Sequence, residues 1–178
     1  MASPRVLIFG GNGGIGRLMA DSMLTKSWHV ISFVRDPRQK TDVLQLGPKR
    51  GPKADVLVVD LARMKDEDDR SMSNGNAVDR DAAKKIIKAE VSSLEVTKFL
   101  MISFPASRRK KAPWWDNTDY QNFPDETRAY PEIAEAKLNA DEYLVAMAKQ
   151  RNDDSPFSFK QLVYDPAGLP TLLVVEFI

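Results

Sequence analysis

Five glycines cluster directly behind a short apolar run near the start of the chain. The segment reads Gly10-Gly11-Asn12-Gly13-Gly14-Ile15-Gly16, with Gly-x-x-Gly-x-x-Gly at positions 10, 13 and 16. Glycine in this pattern permits a tight turn, close approach of the backbone to a pyrophosphate and close packing of the next helix on the strand. The start of that helix offers free N–H groups to phosphates. The pattern therefore predicts a dinucleotide site; the alternative is a glycine-rich turn without a ligand.

The choice of dinucleotide depends on the side chains that follow the second predicted strand, His29–Val34. Arg35 and Asp36 come directly after it, and Arg38 is close. A carboxylate there would bind the ribose 2′-OH of NAD, whereas arginine accommodates the 2′-phosphate of NADP. Two arginines against one carboxylate favour NADP over NAD; the alternative for Arg35 is a solvated surface charge. Asp36 is equally well explained as a cap of the turn at Pro37.

Asp60 and Leu61 follow the third predicted strand, Val56–Val59. At that position they could contact the adenine edge of the cofactor. Asp60 could equally cap a helix.

Strands alternate with amphipathic helices along the chain. Apolar runs predict strands at 6–9, 29–34, 56–59 and 99–102, with a less regular one at 157–164 and an apolar run at 172–178. Helical spacing connects Ile15, Leu18, Met19 and Met23, then Val78, Ala82, Ile86 and Ala89, then Ile133, Ala136, Ala140, Leu144 and Met147 after Pro131. This order predicts a single α/β domain over 1–178, a Rossmann-type doubly wound, mostly parallel sheet, with a polar insert near 63–76.

Composition excludes several function classes. The 26 basic and 25 acidic residues nearly cancel, so neither nucleic acid nor a membrane is an expected partner. Cysteine is absent and His29 is the single histidine, so we expect no metal site of cysteines or several histidines. The N-terminus lacks signal-peptide features and no apolar run is long enough to span a bilayer, which makes a cytoplasmic protein the expectation.

A basic and aromatic loop follows the fourth predicted strand. It contains Arg108, Arg109, Lys110 and Lys111, then Trp114 and Trp115. The loop could stack nucleic-acid bases, but no other basic stripe accompanies it. We expect it instead beside the ligand, where tryptophan faces could stack on a small-molecule substrate with a flat aromatic or flavin-like ring.

Several segments together resemble the atypical short-chain dehydrogenase/reductases. These are the glycine motif, Val34-Arg35-Asp36-Pro37, Asp60-Leu61, the run from Phe99 to Arg109, and Ala136-Lys137-Leu138-Asn139-Ala140-Asp141-Glu142. The nearest group is similar to flavin reductase/biliverdin reductase B and to NmrA-like proteins. The resemblance covers most of residues 5–170 and implies an NAD(P)H-dependent oxidoreductase.

The resemblance also implies catalytic residues. Ser103 matches the family serine at a strand end, and Lys137 matches the lysine that holds the nicotinamide ribose. Because Lys137 lies on or beside the apolar stripe, it is equally well explained as a snorkelling side chain. The family tyrosine, four residues before the lysine, is replaced here by Ile133, for which we expect ordinary core packing. Tyr130, about two helical turns before Lys137, is the candidate that remains. The missing tyrosine keeps a second interpretation open, a dinucleotide-binding sensor or regulatory module without turnover.

A central strand and helix of the family pattern are missing from the sequence. Between the third strand and the helix near Ala77 the chain holds only the polar residues 62–76. Either Phe99–Ile102 moves next to the first strand, or the sheet has a gap there. A truncated gene product would also explain this departure and the apolar end of the chain.

Overall fold

The computed structural model describes residues 3–47, 54–63, 77–104, 107–110, 115–154, 160–164 and 173–177. The strands are β1 (Arg5–Phe9), β2 (His29–Val34), β3 (Ala54–Val58), β4 (Val96–Ile102), β5 (Lys160–Tyr164) and β6 (Leu173–Phe177). The helices are α1 (Gly14–Thr25), α2 (Gln39–Leu44), α3 (Ala83–Ser92), α4 (Asn117–Ala129) and α5 (Pro131–Asp154). A 3-10 turn covers Leu61–Arg63, and a π-helical turn, Ala77–Ala82, leads into α3.

The six strands form one sheet in the order β3-β2-β1-β6-β4-β5. β1, β2 and β3 pair in parallel, as do β4 and β5. Only β6 runs against its neighbours in this sheet of the described residues. The predicted Rossmann-type, mostly parallel α/β fold is therefore confirmed. Because the carboxyl ends of β1, β2 and β3 meet at one edge, the side chains that follow them come together there.

The position beside β1 differs from both sequence-based alternatives. β6 lies between β1 and β4, with Leu7 opposite Val175 and Phe99 also opposite Val175. So β4 does not move next to β1, and no gap separates them. An antiparallel strand from the apolar run near the chain end takes the place of the missing parallel one. Its backbone N–H and C=O groups are bonded on both sides, as a strand inside a sheet requires.

Helices cover both faces of the sheet. Val6, Ile8 and Val30 are buried against Ala20 and Leu24 of α1, and α2 continues this layer with Val43 against Val34 and Val56. On the opposite face, Phe99 and Met101 of β4 pack against α3 and α5, through Ile86, Ile87, Val91, Ala140 and Leu144. Alternation along each strand directs successive side chains to these two layers. The long α5 thereby lies across β4 and positions Lys137.

Two helices pack differently from what apolar spacing alone indicates, and the expected core packing of Ile133 is wrong. Leu18 of α1 is 70% exposed, and the buried face of that helix is formed by Gly16, Ala20 and Leu24 instead. Ile133 is 43% exposed and does not join the core, because the buried stripe of α5 begins with Ala134 and Ala136. The predicted polar insert lies outside the described residues apart from Arg63. No helix of the described part of the chain is long and apolar enough to cross a membrane.

Candidate functional site

The glycine turn that follows β1 disfavours larger residues at three positions. Gly10 has a φ of +80°, a conformation that side chains disfavour. A Cβ on Gly11 would lie 2.5 Å from Cβ of Ser32, and a Cβ on Gly16 would lie 2.5 Å from the carbonyl oxygen of Gly10. These distances show that the turn packs directly on β2 and on the first turn of α1. The glycines thus perform the close packing that the motif predicts.

The start of α1 presents backbone donors to the cleft. Gly13 is the N-cap residue and supplies no side-chain cap. The Gly13 N–H donates to the Gly10 carbonyl at 2.9 Å, and the first bond of the helix ladder runs from the Arg17 N–H to Gly13 at 2.9 Å. The N–H groups of residues 14–16 therefore have no acceptor within the helix. Oδ1 of Asn12 is also buried without a partner in the described part of the chain. An anionic ligand with hydroxyls fits this cradle.

A cleft of about 390 Å³ opens at the carboxyl ends of β1, β2 and β3. The glycine turn forms one side, and the residues that follow β2 and β3 form the other. Its lining consists of Gly10, Asn12, Gly13, Phe33, Val34, Arg35, Gln39, Val59, Asp60, Leu61 and Val78. The structure thus brings the predicted residues Arg35, Asp60 and Leu61 into one cleft with the glycine motif.

Arg35 and Arg38 have different surroundings. Arg35 lines the cleft. Arg38 is 90% exposed and its Nη2 lies 2.5 Å from Asp36 Oδ2. The Asp36 carboxylate accepts from both the side chain and the backbone N–H of Arg38, and these hydrogen bonds lower the pKa of Asp36 to about 2. Asp36 therefore serves the turn at Pro37, as one of the sequence-based alternatives expects, and it holds Arg38 outside the cleft lining.

A second cavity of about 140 Å³ continues the cleft toward α5. The two share Gly10, Leu61 and Val78 in their linings. The deeper cavity is lined by Phe9, Gly10, Leu61, Val78, Asp79, Ala83, Ile86, Met101 and Lys137. In the described part of the chain, Asp79 and Lys137 supply its polar side chains. Lys137 is therefore at the end of a path through two adjacent cavities that begins at Arg35.

Lys137 forms a buried ion pair in this cavity. Its Nζ lies 2.5 Å from Oδ1 of Asp79, and the two side chains are 8% and 33% exposed. Burial lowers the pKa of the Lys137 ammonium, and the nearby Asp79 opposes that shift. A buried cation of this kind needs a partner, and Asp79 provides one.

Ser103 belongs to a separate polar cluster that it forms with Ser107 and Asp141. Its hydroxyl donates to Oδ2 of Asp141 and lies 2.7 Å from Oγ of Ser107. Asp141 is one helical turn after Lys137 on α5. Burial raises the pKa of the Asp141 carboxyl to about 6, against the hydrogen bonds from both serines, which lower it. Ser103 is 4% exposed and lines neither of the two cavities.

Tyr130 and Ile133 lie near the N-terminal end of α5, outside both cavity linings. Tyr130 is 55% exposed and makes an edge-to-face contact with Phe104, with ring centroids 6.4 Å apart. The structure does not bring its hydroxyl together with Lys137. With Ile133 exposed as well, no tyrosine stands beside Lys137 in the described part of the chain.

The basic and aromatic loop packs beside α4 and α5. Arg109 pairs with Glu142, with Nε and Oε1 2.5 Å apart. The Arg108 guanidinium lies 5.6 Å from the ring centroid of Trp115, whose ring is 5.4 Å from that of Phe123. Lys111 and Trp114 lie outside the described residues. His29 bonds Asp55 at 2.7 Å, and the residues that the structure describes contain no cluster that could hold a metal ion.

Three of the polar residues in and around the site were not predicted from the sequence. Asp141 could have been found, because it is four residues after Lys137 and so shares its helix face. Gln39 lines the cleft and accepts from the Asp36 N–H at 3.2 Å, which only the local turn explains. Asp79 is 58 residues from its partner Lys137, and no local pattern connects them.

A family model described as NAD(P)H-binding matches residues 10–150. The chain belongs to this NAD(P)H-binding family. The match begins at the first residue of the glycine motif and ends inside α5, so it includes every lining residue of the two cavities except Phe9. No curated protein matches the sequence.

Solved structures with the same fold include reductases and epimerase-like proteins. A protein described as an NAD-dependent epimerase/dehydratase from Bacillus halodurans aligns over 93% of this chain and 71% of its own, at 20% identity and a TM-score of 0.58. Vestitone reductase from alfalfa aligns over 84% of this chain and 54% of its own, at 20% identity and a TM-score of 0.56. A metagenomic short-chain oxidoreductase in complex with NADP aligns over 93% of this chain and 82% of its own, at 14% identity and a TM-score of 0.57. At these identities the likeness concerns the fold, and the chain spans about half the length of vestitone reductase.

Proposed function

We propose that this chain binds NADP(H) and works as an NADP(H)-dependent oxidoreductase of the atypical short-chain dehydrogenase/reductase type. The observation that carries the proposal is the path through two adjacent cavities from Arg35, past the glycine turn, to Lys137. Along this path the side chains follow the same order as the adenosine, the pyrophosphate and the nicotinamide ribose of a dinucleotide. Family membership makes the ligand class NAD(P)H.

Each part of the path suits one part of the cofactor. The adenosine would lie between Arg35, Asp60 and Leu61, where the lining is partly apolar. The pyrophosphate would lie on the glycine turn, where the N–H groups of α1 have no other acceptor. The nicotinamide ribose would reach Lys137, whose ammonium donates hydrogen bonds.

The preference for NADP rests on Arg35. Arginine binds a phosphate through a planar fork of donors, and Arg35 is the arginine in the cleft lining. Asp36 does not offer a free carboxylate to the ribose 2′-OH of NAD, because its two oxygens already accept hydrogen bonds from Arg38. Arg38 supports this choice by removing that acceptor rather than by contacting the cleft.

When bound, the cofactor would supply a hydride, so the chain itself has to position the reactants and exclude water. Lys137 would fix the ribose, and the apolar walls of the deeper cavity, Phe9 and Met101 among them, would exclude water. Ser103 holds Asp141 and so fixes α5 against the end of β4. The aromatic faces of the loop around Trp115 would suit a flat substrate ring.

Consumption of NADPH tests the proposal. We expect the purified chain, saturated with NADPH, to oxidise it in the presence of a flavin or a small quinone, with a decrease at 340 nm that follows the amount of acceptor. The variant for comparison is Lys137→Met, which should bind NADPH less tightly and oxidise it more slowly than wild type. Saturable binding without consumption of NADPH with any acceptor would reject the enzyme and favour the non-catalytic module.

A further inference from the structure

The deeper cavity has an apolar lining with one charged pair at its wall. Phe9, Leu61, Val78, Ala83, Ile86 and Met101 provide the apolar part. The volume of about 140 Å³ is close to that of roughly 150 Å³ at which an engineered apolar cavity binds benzene. A single five- or six-membered ring therefore fits this space. Any polar group attached to that ring has to use Asp79 or Lys137, because these are the polar side chains that the described lining offers.

Asp79 and Lys137 keep hydrogen-bonding capacity after pairing with each other. The ammonium has three N–H donors, of which one is directed to Oδ1 of Asp79. The carboxylate has two oxygens with about four acceptor positions. Within the described part of the chain neither group has a second hydrogen-bond partner. The pair thus offers a donor and an acceptor side by side, facing the cavity.

A ribose presents the complementary pattern. Its neighbouring 2′- and 3′-hydroxyls each donate and accept one or more hydrogen bonds. One hydroxyl can accept from the Lys137 ammonium while the other donates to the Asp79 carboxylate. Asp79 is one-third exposed, so it can reach a ligand, while its partner is held almost fully buried.

We propose that Asp79 is a cofactor-binding residue, which accepts a hydrogen bond from the nicotinamide ribose and holds Lys137 for the same ribose. The inference rests on the proposed function, because it takes the ligand to be a nicotinamide dinucleotide. It assigns a cofactor contact to a carboxylate on the turn before α3, at a site where no tyrosine side chain that the structure describes lies beside Lys137. Asp79 acts there as a ligand of the ribose and as a positioning residue for the lysine.

The test compares a whole cofactor with its adenine half. NADPH and adenosine 2′,5′-bisphosphate are titrated into wild type and Asp79→Ala by calorimetry. We expect the substitution to weaken NADPH about ten- to hundredfold, the range for a lost hydrogen bond to a charged group. The bisphosphate, which has no nicotinamide ribose, should bind within about twofold of wild type, since its contacts lie at the other end of the path.

The neighbouring Asp81 provides a matched control. It is on the same turn, pairs with Arg80 at 2.6 Å and does not line the cavity. Asp81→Ala should leave the affinities of both ligands unchanged. An equal loss of both ligands in Asp79→Ala, or an equal loss of NADPH in the two variants, would overturn the inference.

A third variant guards against unfolding, because Asp79→Ala leaves a buried cation without its partner. Asp79→Asn combined with Lys137→Met buries no charge. This variant should lose NADPH affinity selectively and keep the bisphosphate, and retention of full NADPH affinity would contradict the inference. If wild type binds neither ligand, the proposed function itself fails, and the role of Asp79 fails with it. If wild type binds the bisphosphate but does not bind NADPH more tightly, the role of Asp79 is rejected and the proposed function is not.

Discussion

Asp141 lies one helical turn after Lys137 and accepts hydrogen bonds from two buried serines. Its other oxygen, Oδ1, is buried without a partner in the described part of the chain. Burial raises the pKa of its carboxyl to about 6 despite those bonds. The folded protein therefore binds a proton at Asp141 at a pH where the unfolded chain does not. In the window between about pH 4 and 6, the stability that Asp141 contributes is lost as the pH rises.

Asp141→Asn should accordingly stabilise the protein at neutral pH. Asparagine cannot ionise, and it keeps an oxygen for the serine hydroxyls. The two pKa values, 3.8 and about 6, give a gain of about 3 kcal/mol at pH 7.5 that shrinks to about 1 kcal/mol at pH 4.5. Urea unfolding at the two pH values measures it.

Glu142 is the control for that prediction. It is the adjacent residue, but it pairs with Arg109 at the surface, and these hydrogen bonds lower the pKa of its carboxyl. Glu142→Gln should show no stabilisation at pH 7.5. A loss of stability in Asp141→Asn that is equal at both pH values would contradict the account of this cluster.

Among the elements, the unit of β1, glycine turn and α1 follows most directly from the sequence. The apolar run, the glycine spacing and the helical period all specify it within 25 residues of chain. The strand over 29–34 and the helix that begins at Pro131 also form where they are predicted. The exposure of Leu18 and Ile133 was not predictable from periodicity, because a helical stripe does not show which of its edges meets the sheet.

Gly16 and Gly14 make a matched pair for testing this unit. Gly16→Ala places a Cβ 2.5 Å from the Gly10 carbonyl oxygen, whereas a Cβ on Gly14 meets nothing within 4 Å. We expect Gly16→Ala to cost about 1–3 kcal/mol of stability through overpacking and to weaken NADPH binding, because the cradle has to shift. Gly14→Ala should change stability by less than about 1 kcal/mol.

Urea unfolding and NADPH titration of both glycine variants measure these effects. Similar behaviour of the two would mean that the turn does not pack on α1 as described.

At the scale of the whole molecule, the central position of β6 is the feature that the sequence did not reveal. Its register against β1 and β4 joins residues more than 70 positions apart on one side and about 170 on the other, and no local pattern encodes such pairing. The apolar run near the chain end indicates a buried strand but not its neighbours or its direction. The same reason explains why Asp79 was not predicted as a partner of Lys137.

The arrangement of the whole chain also divides the site into two parts. The adenine side rests on β1, β2 and β3, which follow the family order. The deeper cavity rests on Met101 of β4, Lys137 of α5 and the turn before α3, and it contains the charged pair that the family motif does not specify. Both parts have to be present for a whole dinucleotide to bind more tightly than its adenine half.

The measurement that tests the central claim most directly is a calorimetric titration of wild type and Arg35→Ala with NADPH and with NADH. We expect one saturable NADPH site per chain in wild type. Arg35→Ala should weaken NADPH by about tenfold or more and leave NADH unchanged, because in the proposed function Arg35 would contact the 2′-phosphate, which NADPH carries and NADH lacks. Absence of saturable binding in a cooperatively folded protein, or equal losses of both cofactors in Arg35→Ala, would contradict the account.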